Sequence, residues 1–98
     1  MSVEMVIEVA DSQTAQTVQR VLESYQARLR GSIARTRRRL AVFEDRYGVS
    51  TTRFLENMAA EDLQGGDLEY VEWAGEAKLL AGLESELKEL ENARFQLQ

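Results

Sequence analysis

The sequence predicts a mainly α protein: a long antiparallel helical hairpin with a short connecting helix, a short N-terminal β-strand, and association as a dimeric helical bundle. Three observations predict it. The 98 residues contain no proline, so nothing forces a break in a helix. Apolar residues recur every three or four positions over two long stretches. Glycine and capping residues punctuate the chain at Gly48-Val49-Ser50 and again at Gly65-Gly66-Asp67.

The first segment, residues 3–9, reads two ways. Val3, Met5, Ile7 and Val9 alternate as in a strand, while Val3, Val6, Ile7 and Ala10 fit a helix almost as well. The β-branched content favours a strand. Asp11 and Ser12 then supply a helix N-cap. From residue 12 to 47 the helical period is unbroken through Val18, Leu22, Tyr25, Leu29, Ile33, Thr36, Leu40, Phe43 and Tyr47. Such a helix is roughly 54 Å long. Gly48 suits the left-handed position after its last turn. Ser50 caps the next helix, with Val49 and Phe54 as a hydrophobic staple. That second helix is expected over 51–63, with Phe54, Leu55, Met58 and Leu63 as its apolar residues. Gly65-Gly66 ends it, and Asp67 caps a third helix over 68–94. Trp73, Ala77, Leu80, Leu83, Leu87 and Leu90 form its stripe, close to a coiled-coil seam. Phe95 folds back or frays. The whole chain, 1–98, reads as one helical domain.

A hairpin buries each stripe on one side only. Tyr25, Phe43, Tyr70 and Trp73 would leave apolar surface wet, so association with a second copy or another protein is expected. A lone strand has nothing to pair with in an otherwise helical chain, which points to a twin strand or a sheet edge of another protein.

The chain also lacks histidine and cysteine. That removes the Ser-His-Asp triad, a cysteine nucleophile, the usual Cys/His zinc site and disulfides. No apolar run approaches the ~20 residues of a membrane span, and no signal peptide opens the chain. The expectation is a cytoplasmic protein without cofactor or metal, and not an enzyme.

The net charge of −5 conceals an asymmetry, for residues 1–49 sum to +2 and residues 50–98 to −7. Arg28, Arg35, Arg39 and Arg46 fall on one line that flanks the apolar stripe. They can pair with glutamates of the third helix or of a second subunit, bind an acidic partner, or touch nucleic acid. Glu69-x-x-Glu72, followed by Glu76, and Glu86-x-x-Glu89 resemble magnesium-binding pairs. Both lie on one predicted helix, which favours a solvated acidic face. Trp73, the sole tryptophan, is either core packing or a partner's hot spot.

The run Phe43-Glu44-Asp45-Arg46-Tyr47-Gly48-Val49-Ser50-Thr51, then Phe54, Gly66-Asp67 and Glu69-Tyr70-Val71-Glu72-Trp73-Ala74, resembles small helical antitoxins of bacterial toxin–antitoxin pairs, the partners of TumE-type toxins. The opening Val6-Ile7-Glu8-Val9-Ala10-Asp11-Ser12 is similar to the strand-then-helix start of many small antitoxins, with Ala10 where proline is usual. The resemblance implies a protein that binds and neutralises a small cognate protein. From the residues themselves, Phe43, Tyr47, Tyr70 and Trp73 are the expected partner-binding anchors, with Arg35, Arg39 and Arg46 as a charged rim. A structural homo-oligomer and a nucleic-acid-binding regulator are the alternatives.

Overall fold

The computed structural model describes residues 5–97. In chain order these form β1 (Val6–Val9), α1 (Ser12–Tyr47), α2 (Thr51–Asn57), a 3-10 turn (Ala60–Asp62), α3 (Gly66–Glu91) and β2 (Arg94–Leu97). The protein is mainly helical, with α1 and α3 packed as a hairpin. It divides into two compact units that share both long helices. One comprises Met1–Ser32 with Leu83–Gln98, and the other Ile33–Gly82.

In the first unit, Asp11 caps α1 by accepting the Thr14 N–H at 2.7 Å. That bond holds the Asp11 carboxyl below the usual carboxylate range. Leu29 and Val9 are buried, and Leu22, Leu83, Leu87 and Leu90 are half-buried, as their three-four spacing requires. The Tyr25 hydroxyl donates to Glu86. Arg30 meets Glu91 at 3.2 Å with both side chains about half exposed, a pair worth no more than ~1 kcal/mol.

The strand is not partnerless. β1 pairs in parallel with β2, in a register from Val6 opposite Arg94 to Val9 opposite Leu97. The third helix accordingly stops at Glu91 and not at residue 94. Parallel strands need a long crossover, and a helical hairpin supplies one by returning the chain to the level where it began. Of the strand expected over 3–9, Val6–Val9 is present, Met5 is outside it, and residues 3 and 4 lie outside the described residues.

The Ile33–Gly82 unit holds the aromatic core. Ile33, Thr36 and Leu40 on α1 are buried, with Phe43 and Tyr47 following at half burial. Gly48 ends α1 at φ 65°, the left-handed conformation that glycine adopts without a Cβ penalty, and its N–H bonds the Glu44 carbonyl at 2.8 Å. Ser50 caps α2 by accepting the Arg53 N–H at 3.1 Å.

The expected second helix, 51–63, is shorter and interrupted. α2 ends at Asn57, and Met58 and Ala59 are extended. The Asp62 carboxylate takes the Ala59 N–H at 2.8 Å, a local bond that offers the backbone an alternative to continuing the helix. α3 begins at Gly66, two residues earlier than expected, so Asp67 lies inside its first turn and is not its cap. The Glu69 carboxylate instead ties down the residue before the helix, accepting the Gly65 N–H at 3.1 Å. A Cβ on residue 65 would come within 2.8 Å of the Glu69 Cβ, so only glycine allows that approach.

Two-stranded sheets are marginal on their own. Removing residues 94–98 should therefore leave those β1 amides that face β2 exchanging at nearly unprotected rates, with the amides of 33–82 unchanged. Hydrogen exchange by NMR reads both.

Candidate functional site

Trp73 projects from the inner face of α3 and has no exposed surface. Phe54, from α2, stacks on it at 3.9 Å between centroids and 3° between planes. Phe43 and Tyr47, one turn apart on α1, stack at 5.3 and 5.7 Å. Tyr70 tilts against Phe54 at 5.0 Å. Three rings thus stack on one indole, and a fourth, Tyr70, backs Phe54; the four come from three helices. Aromatic pairs of this kind add roughly 0.5–1.5 kcal/mol each beyond burial, and truncating such a tryptophan to alanine costs about 3–5 kcal/mol.

A buried indole N–H needs an acceptor. Trp73 Nε1 donates to Thr51 Oγ1 at 3.0 Å, and Thr51 Oγ1 donates in turn to Glu44 Oε2 at 2.9 Å. Glu44 also accepts the Thr51 N–H at 2.8 Å. One hydrogen-bonded chain therefore runs from α3 through the start of α2 to the end of α1.

Beside the stack lies a buried carboxylate. Glu69 accepts from the Tyr47 hydroxyl, from Arg46 and from the Gly65 N–H. The Tyr47 bond, then the Gly65 N–H and Arg46, hold its carboxyl below the usual range against burial, which pushes the other way. Burial and the bond to Glu69 push the Tyr47 hydroxyl up, so it stays a proton donor, and it accepts the Gln64 N–H at 2.9 Å. This cluster fastens the turn before α3 to the end of α1.

The expected partner-binding residues separate into two groups. Trp73 is fully buried inside its own unit. Phe43, Tyr47 and Tyr70 are half-buried, with their rings turned to the same core. The arginines stay at the surface. Arg39 meets Glu76 at 2.9 Å through Nε and Thr36 Oγ1 at 3.2 Å through a terminal nitrogen. Arg46 pairs with Glu69. Their side chains remain 49% and 48% exposed, so both still face solvent. Arg35 is exposed on the same line. Pairing of flanking arginines with glutamates of the third helix, one of the readings of the arginine line, is therefore present at Arg39 and Arg46.

Sequence reasoning missed Val42. It is 56% exposed and lies between Arg39 and Arg46. Arg35, Arg39, Val42 and Arg46 fall within about 60° of one another around the helix. The spacing 4-3-4 was the available signal. It was hidden because Val42 stands outside the apolar stripe that the core uses. Glu69 was also misread, since an E-x-x-E pair looks like a solvated acidic face until Arg46 and Tyr47 are placed beside it.

No family model, curated protein or solved structure matches the chain.

The acid limb of stability should report Glu69. Its folded carboxyl titrates below its unfolded value, so its contribution is complete above the ordinary carboxylate range and is lost as pH falls through that range and below it. Urea melts of Glu69→Gln are expected to show lower stability than the wild type at neutral pH and a shallower decline towards pH 3.

Proposed function

We propose that this chain is a non-enzymatic protein-binding module of the antitoxin type, which neutralises a small cognate protein by holding an acidic segment of it along α1. The observation that carries the reading is Val42, an apolar side chain left in water inside a line of three arginines. Specific interfaces combine an apolar centre with a polar rim and favour arginine in it. A guanidinium presents five donors in a planar fork that fits carboxylates. Arg39 uses two of its nitrogens within the chain, on Glu76 and Thr36, and the rest of its fork remains.

The clustered ionisable groups support the same reading. Glu69, Tyr47 and Arg46 satisfy one another, and Glu44 is committed to Thr51. They fasten helices. The sequence resemblance to antitoxins of TumE-type toxins adds the kind of partner: a small protein encoded beside this one. No helix among the described residues is long and apolar enough to cross a membrane.

The test is co-expression with the product of the adjacent reading frame. The expected result is relief of growth arrest and a complex that survives purification. Val42→Asp should weaken that complex by about tenfold or more, roughly 1.4 kcal/mol, at an unchanged melting temperature, because an exposed substitution leaves the fold within about 0.5 kcal/mol. No relief and no complex would overturn the proposal. Salt-sensitive retention on DNA would move the assignment to nucleic acid.

A further inference from the structure

The outer side of α3 carries a second apolar stripe. Leu68 is 70% exposed, Val71 65% and Leu79 46%, and Gly75 and Gly82 are exposed between and beyond them. These five lie within about 80° around the helix, on the side opposite Trp73, Ala77 and Leu80. A helix that is apolar on both sides is ordinarily covered on both. The stripe has knobs and notches. A Cβ built at Gly75 or Gly82 meets nothing within 4 Å, so each glycine is an open gap beside a leucine or valine.

We infer that a second copy of this chain covers the stripe, with the two α3 helices antiparallel about a two-fold axis over Trp73. Three independent pairings agree on that register. Val71 enters the Gly75 notch of the other copy, and the symmetry returns the same contact. Leu68 then faces the other copy's Leu79. Antiparallel helices bring like flanks together, and on one flank Asp67 faces the other copy's Lys78, again twice. Asp67 and Lys78 are both exposed, and neither forms an ion pair among the described residues. Position numbers in these three pairings sum to 146, 147 and 145, so one axis serves them all. The other flank opposes Glu72 to its own twin, a repulsion that the register carries near the axis.

The contact from Asp67 to Leu79 spans about 18 Å of helix. That is short for a standard interface of roughly 800 Å² per partner, so the dimer is reversible and concentration-dependent. It lies on another side of the unit's helices from Val42 and does not depend on the antitoxin reading.

Sedimentation equilibrium of the full chain across the micromolar range tests it. The wild type should pass from monomer to dimer. Val71→Glu should weaken association by at least about tenfold, while circular dichroism shows an intact helical fold, because residue 71 is exposed. Lys78→Asp should weaken it too, the double variant D67K/K78D should restore it, and Glu72→Gln should tighten it. A monomer throughout that range, a dimer indifferent to Val71→Glu, or failure of the double exchange to restore association would overturn the inference.

Discussion

The placement of Trp73 is the constraint on which the Ile33–Gly82 unit depends. A large indole with no exposed surface must find flat apolar neighbours on its faces and an acceptor for its N–H. Phe54 provides one face, which fixes where α2 lies. Phe43 and Tyr47 bring the last turns of α1 to it. Thr51 accepts the N–H, and Glu44 holds Thr51. α2 has only seven residues, too few to be stable as an isolated helix. It persists because its first residue is the indole's acceptor and its fourth is the indole's stacking partner.

Glu69 performs the complementary task at the other side of the α2–α3 connection. A carboxylate buried there would be costly if it were unpaired. Arg46 and Tyr47 both reach it from α1, and Gly65 comes close enough to donate because it has no side chain. These two arrangements absorb most of the unit's aromatic and polar chemistry. The apolar side chains left at the unit's surface are Val42 among arginines on α1, Leu55 on α2, and the Leu68–Gly82 stripe on α3. The chemistry available for recognition is therefore apolar knobs with charged edges, which suits the binding of protein chains.

Much of this was legible in the sequence, and the failures have physical causes. α1 occupies residues 12–47 as expected, because its stripe never changes phase and both ends carry a local signal, Asp11 and Gly48. Ser50 as a cap is local in the same way. Periodicity gives a direction around a helix and not a depth, so Trp73 could be assigned to the inner face without its full burial being evident. β2 is four residues long and takes its partner from the far end of the chain, beyond the reach of any local pattern. The break after Asn57 depends on a single side-chain bond from Asp62. The role of Glu69 depends on residues more than twenty positions earlier.

The aromatic core is complete within a single chain, so Trp73 is spent on the fold. Fluorescence of the sole tryptophan tests this most directly, with the purified chain diluted until it is monomeric and no partner present. A completed core gives blue-shifted emission and strong protection from acrylamide quenching, both lost together on denaturation. Red-shifted, readily quenched emission from a chain that is still helical would contradict it, since Trp73 would then be waiting for another protein to cover it.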